Sequence, residues 1–244
     1  MKIIFAGPSL PDAAEHAATA IVRGPAALGD VAKAVIEGAT AIGIVDGYFE
    51  NVASVWHKEI LYALSEGVTV MGGASMGALR AAECASYGMI GVGAVFRAYA
   101  SGALIDDDAV GQVHGPEELG YIALTEPLVN IAATLAGLED RVLISSVEHD
   151  TLLRAATGAF FKGRTYPKVL AAAAIETQRR EEIAQLVNAH RRDLKREDAL
   201  TLVAAVEAAP DIRIPPPTGW KFTETQMWSR LLAGWRREMA AAAA

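Results

Sequence analysis

Three short apolar runs, each ended by glycine and separated by helix-patterned segments, limit this chain to a few architectures. The first is Lys2 to Phe5, stopped by Gly7-Pro8. The second is Ala41-Ile42-Gly43-Ile44-Val45-Asp46, broken by Gly47. The third is Val68-Thr69-Val70-Met71, followed by Gly72-Gly73. Such runs are too short for helices, and their lack of alternation marks strands covered on both faces. Between them, Asp30 to Ile36 reads as a helix closed by Gly38. A second helix is expected from an N-cap at Ser54 to about Ser65, with an apolar stripe of Val55, Ile60, Leu61 and Leu64. A third should run from about Met76 to Ala85, ended by Gly88. A helix between two strands carries the chain back, so the strands pair in parallel. The expected fold class is α/β, a mostly parallel sheet flanked by helices and followed by a helical C-terminal region.

Beyond Gly91 the punctuation changes. A helix is expected over 92–100, an acidic loop at Asp106-Asp107-Asp108, and short strands at 110–113 and 121–124. Pro127 suits position N1 of a helix through Leu138, with Thr125 or Glu126 before it. From Val147 onward the pattern is almost wholly helical, divided at Gly163, Tyr166-Pro167 and Pro210. Pro215-Pro216-Pro217 reads as a stiff connection to a last helix carrying Trp228 and Trp235, whose final alanines should fray. The expected division is an α/β core holding the site over 1–145 and a helical region over 146–244.

Hydrophobic residues make up 52% of the chain, many of them alanine, which favours helix. The formal net charge of −7 argues against nucleic acid as a partner. Basic residues do cluster at Arg179-Arg180 and over 190–196, but interleaved acids make a solvated helix face the simpler reading. One cysteine, Cys84, rules out an internal disulfide and a multi-cysteine zinc site. Asp106-Asp107-Asp108 lacks the spacing of a calcium loop, so no metal and no cofactor is expected. No run is long enough to span a membrane, and the first residues are punctuated too soon for a signal peptide. A cytoplasmic protein is expected.

Gly73-Ala74-Ser75-Met76-Gly77 matches G-x-S-x-G between an expected strand and an expected helix. A strand turning sharply into a helix crowds the backbone, so small residues are needed. The turn lifts Ser75 above the sheet as a candidate nucleophile, and the backbone amides of Met76 and Gly77 become candidate oxyanion donors. The plainer alternative is that Ser75 only caps the helix. A serine nucleophile needs a base. Lys58 falls in the first turn of the preceding helix, at the same sheet edge as Asp46 and Ser75, where a helix N-terminus would lower its pKa. His57 points about 100° away from it round the helix. Either residue could serve, and a triad of Ser75 with Asp46 and His57 or His114 is also conceivable. Arg80 and Glu83, three apart on the next helix, suit an ion pair supporting the site.

Several segments together resemble the TfuA-like protein family. They are Gly7-Pro8-Ser9, Asp46-Gly47-Tyr48-Phe49, Val55-Trp56-His57-Lys58-Glu59-Ile60-Leu61, the block from Gly73 through Ser75 to Glu83, Tyr87-Gly88-Met89-Ile90-Gly91-Val92-Gly93, and Asp106-Asp107-Asp108. They keep the family's order over roughly residues 1 to 135. The sequence departs from the family at Ala109, where glutamate is expected, and in 129–132, where alanine stands for arginine. The resemblance implies a partner of a YcaO enzyme, which uses ATP to thioamidate the backbone of a peptide or protein substrate. It also implies hydrolysis of a thiocarboxylated, ThiS-like sulfur-carrier protein to release sulfide, through a Ser-Lys pair. Here that pair is Ser75 and Lys58, so the resemblance selects Lys58 over His57.

Two other readings stand beside this one. The chain could be a non-catalytic binding module that activates the YcaO enzyme and recruits its peptide, with Trp220, Trp228 and Trp235 as interface anchors. It could also be an unrelated small-molecule hydrolase.

Overall fold

The computed structural model describes every residue except 49, 51, 243 and 244. Phe49 of the resembling segments and the last two alanines lie outside the described residues. The chain forms two compact units. One comprises residues 1–103 and 198–244, the other residues 104–197. The expected boundary at 145/146 instead falls inside the second unit, because one run of helices is divided between the two bodies.

The first unit holds a five-stranded, all-parallel sheet in the order β2-β1-β3-β4-β5. Its strands are β1 (Lys2–Phe5), β2 (Ile21–Arg23), β3 (Ala41–Ile44), β4 (Thr69–Gly73) and β5 (Ile90–Val92). The connecting helices are α1 (Ala13–His16), α2 (Asp30–Ile36), α3 (His57–Ser65) and α4 (Met76–Cys84), with α5 (Gly93–Ala100) after β5. The three expected strands are the three central ones. The two not expected, β2 and β5, are three-residue edge strands whose Ile21 and Ile90 lie exposed, so no apolar run announces them. The helix expected from Ser54, α3, starts later. Trp56 is its N-cap, and the Ser54 hydroxyl instead donates to the Tyr48 carbonyl at 3.0 Å.

Successive strand residues point to opposite faces, and each face has its own cover. Ile3, Phe5, Ile42, Ile44 and Val70 pack beneath α2, α3 and the last helix. Ile4, Val45 and Met71 pack against Leu202, Val203 and Val206. Those three lie on α10 (Leu194–Ala208), and the last helix is α11 (Gln226–Ala242). A Cβ on Gly43 would come within 2.7 Å of Val206 Cγ2, so the glycine lets α10 lie close to the sheet. Trp228 is fully buried and Trp235 nearly so, with their rings 5.8 Å apart. Trp220 is half-buried and donates to the Tyr87 carbonyl at 3.0 Å. These tryptophans are core and strap residues of the first unit, not the exposed interface anchors expected of a binding module.

The second unit is built on α6 (Leu128–Asp140), α7 (Ser146–Thr157), α8 (Tyr166–Ala172) and α9 (Thr177–His190). Pro127 is the N-cap of α6, one position before the expected N1. The strands expected at 110–113 and 121–124 do not form. Residues 107–110 make a 3₁₀ turn, and a single antiparallel bridge joins His114 to Ala123.

Candidate active site

The strand order places a crevice. The chain goes from β1 to β2 on one side, then crosses to β3 on the other, so the loops after β1 and β3 diverge. Phe5, Ile44 and Gly72 sit in register across β1, β3 and β4. The residues after them, Ala6–Ser9, Val45–Gly47 and Gly73–Ser75, therefore share the carboxyl edge. Asp46 fastens two of these loops. Its buried carboxylate accepts from the amides of Gly7 at 2.9 Å and Ser9 at 3.0 Å, and from the Ser9 hydroxyl at 2.6 Å. Among the described residues every hydrogen bond of this side chain is thus to the β1 loop, and none is to His57 or His114.

The β4–α4 turn is tighter than an ordinary helix entry. Ala74 has φ +64, and the Ser75 amide donates back to the Gly73 carbonyl at 2.7 Å. A bond across one residue at positive φ is the rare, strained γ-turn. Such strain persists only where surrounding structure enforces it. Here the enforcement is crowding. A Cβ on Gly77 would lie 1.6 Å from the Ile44 carbonyl oxygen, and one on Gly72 would lie 2.1 Å from the Gly77 oxygen. On Gly73 it would lie 2.7 Å from the Val92 oxygen.

Ser75 is the N-cap of α4 by position, yet its side chain makes no capping hydrogen bond. The residue is 7% exposed, and its hydroxyl has no partner among the described residues without being sealed from solvent. The helix-cap alternative therefore lacks the bond that defines it. Of the two candidate oxyanion donors, the Gly77 amide donates to the Val45 carbonyl at 3.2 Å. That donor is committed to holding α4 against β3. The Met76 amide has no protein acceptor among the described residues, and it opens the helix.

The candidate bases are held elsewhere. His57 Nε2 lies 2.8 Å from Glu83 Oε2, which also accepts from Arg80 Nη1 at 2.6 Å. Arg80 Nε donates to the Val55 carbonyl at 3.1 Å. Glu83 is eight residues beyond Ser75, about 12 Å along α4 at 1.5 Å per residue. His57, Arg80 and Glu83 thus form one cluster clamping α3 to the far half of α4. The Lys58 ammonium donates to the Thr223 carbonyl and lies 4.5 Å from the centre of the Phe222 ring. No hydrogen bond joins Lys58 to Ser75 among the described residues.

One residue beside these was not singled out from the sequence. Glu59 is fully buried. Its carboxyl accepts from the amides of Gly29 at 2.8 Å, Ala32 at 3.3 Å and Trp56 at 3.2 Å, serving the N-termini of α2 and α3 together. Its place three residues after the N-cap of α3 was the available signal, since a glutamate there commonly reaches back to the cap. Burial pushes its pKa up to about 7, against the opposing pull of those amides. The folded protein therefore holds this proton more tightly than the unfolded chain. Stability from Glu59 is full below about pH 4.5 and lost as pH rises through 7. The loss is on the order of 3 kcal/mol. Urea midpoints measured from pH 5 to pH 8 should fall for the native chain more steeply than for Glu59→Gln, and parallel slopes would refute the assignment.

Cys84 is a buried nucleophile that the site does not use. Burial pushes its thiol up to about 11, far from the thiolate form. Among the described residues no three His, Cys, Asp or Glu side chains gather as a metal site would require. No described helix is long and apolar enough to cross a membrane.

Residues 46–165 match the family model described as TfuA-like protein. The match spans Ser75, Lys58 and the acidic segment, and it supports placing the chain in the TfuA-like family. No curated protein matches the chain.

Proposed function

We propose that this chain, a TfuA-like protein whose family implies work beside a YcaO enzyme, hydrolyses a thiocarboxylated ThiS-like carrier to release sulfide. The observation that carries the reading is Ser75: a buried serine on a strained turn at the carboxyl edge of the sheet, its hydroxyl and the neighbouring Met76 amide both without a hydrogen-bond partner among the described residues. Ser75 Oγ attacks the thiocarboxylate carbon of the carrier's C-terminal glycine, and the Met76 amide steadies the oxyanion. The carbon–sulfur bond breaks as the serine ester forms. The hydroxyl proton passes through a base to the departing sulfide. Water then opens the ester, giving the carrier carboxylate and free Ser75. The released sulfide supplies the YcaO enzyme as it thioamidates its peptide.

Lys58 is the proposed base. Its ammonium is tied to the Thr223 carbonyl and the Phe222 ring, so productive catalysis requires it to leave them. Lys58→Ala should lower sulfide release about 10²-fold, the usual share of a general base. Phe222→Ala, which loosens the tie, should raise the release measured without a YcaO enzyme severalfold. Native-like release from Lys58→Ala would remove Lys58 from the mechanism.

The same tie favours the second reading, a non-catalytic module that activates YcaO and recruits its peptide. Lys58 would then be only an anchor for the segment leading to α11. In that case Lys58→Ala loses stability, neither it nor the native chain releases sulfide from a carrier, and Ser75→Ala still supports thioamidation when free sulfide is supplied.

A further inference from the structure

The second unit carries a surface that its own helices leave open. Residues 113–115 and 122–124 are joined by one antiparallel bridge, closed by two hydrogen bonds: the Gly115 amide donates to the Ile122 carbonyl, and the Leu124 amide to the Val113 carbonyl, both at 2.8 Å. His114 and Ala123 face each other between these bonds. In this pattern the amide and carbonyl of Ala123 point away from the bridge. Neither has a hydrogen-bond partner among the described residues, and Ala123 is exposed. The result is an open strand edge.

The side chains around that edge are apolar and exposed: Leu119 by 59%, Ile122 by 59% and Leu124 by 60%. A Cβ built on Gly115 would lie within 3.9 Å of both Leu119 Cβ and the Ile122 backbone, so those two residues adjoin across it. Ile122 and Leu124 are two apart in an extended segment and share a side. Glu117 and Glu118 stand exposed at the tip. From 104 to 125 the chain carries Asp106, Asp107, Asp108, Glu117 and Glu118 with no lysine or arginine; Asp108 pairs with Arg164 at 3.4 Å, so Glu117 and Glu118 at the tip are the acids offered to a partner.

We infer that this edge docks an extended segment of the YcaO partner, apolar side chains flanked by lysine or arginine, added as a strand beside Ala123. Open backbone groups supply register, the aliphatic side chains supply burial, and the acids select a basic partner. A second copy of this chain would bring the same acids and no lysine or arginine over 104–125, so it lacks the basic residues that complement them. The inference rests on the YcaO-associated role of the family.

The test is titration of the purified full chain with its purified YcaO enzyme by calorimetry. Ala123→Pro removes the edge donor without costing a bridge bond, and it should weaken binding at least tenfold. The pair Ile122→Ser with Leu124→Ser should do the same. Glu117→Lys with Glu118→Lys should weaken binding and flatten its salt dependence. Val142→Ser, at a still more exposed aliphatic residue of this unit, should bind like the native chain. Native affinity in the Ala123, Ile122/Leu124 and Glu117/Glu118 variants, with circular dichroism unchanged, would overturn the inference. A native chain that does not bind the enzyme also overturns it. Sulfide release by that preparation, lost in Ser75→Ala, would show that the hydrolase reading survives.

Discussion

Ser75→Ala is expected to cut sulfide release from a thiocarboxylated carrier by at least about 10³-fold, the scale on which removing a serine nucleophile acts. The fold should not notice. The hydroxyl caps nothing and has no partner among the described residues, so the unfolding free energy should change by no more than about 0.5 kcal/mol. This combination separates the readings sharply. A structural serine would give stability loss with modest rate loss, whereas a nucleophile gives the reverse. The measurement is sulfide evolved per chain, with urea unfolding on the same preparation. Release at the native rate would remove the nucleophile from the scheme.

Gly77→Ala should fail by a different route. The added methyl would sit 1.6 Å from the Ile44 oxygen and 2.5 Å from its carbon. These are backbone atoms in the β3–β4 ladder and cannot swing aside as a side chain can. Either α4 lifts off the sheet or the ladder shifts, and both displace the Val45 carbonyl that accepts the Gly77 amide. The expected cost is on the order of 4 kcal/mol, in the rare upper range for one substitution. For a chain of this size that lowers the thermal midpoint by roughly 8–16 °C. Gly219→Ala is the matched control, since its Cβ would meet nothing within 4 Å. Equal midpoints for the two variants would show that the turn tolerates what its geometry forbids.

What could be read from the sequence follows physical lines. β1, β3 and β4 are covered on both faces, and each shows as a continuous apolar run. The turn at Ser75 was visible because close backbone approach leaves only glycine and alanine as choices. Asp46 was placed at the correct strand end, although its work proved to be holding the β1 loop. The surroundings of Lys58 could not be foreseen. They come from Phe222 and Thr223, more than 160 residues later, and no local pattern encodes so distant a contact. Glu59 was hidden because a charged residue in a helix is ordinarily read as solvated. The edge strands were hidden because three half-exposed residues carry no period. Trp228 and Trp235 were misplaced because a tryptophan in an amphipathic helix looks the same whether its face covers a sheet or a partner.

The sheet-bearing unit is assembled from residues 1–103 and 198–244, with another unit lying between them in the chain. As the polypeptide leaves the ribosome, the five strands emerge together while both sheet faces are still incomplete. Leu202, Val203 and Val206 for one face, and Trp228 and Trp235 for the other, arrive only after the intervening helices. An early-synthesised sheet thus waits, one face open and the other only partly covered by α2 and α3, for the last fifth of the chain. Loss of that last fifth, by proteolysis or premature termination, would leave an aggregation-prone remnant rather than a smaller working protein.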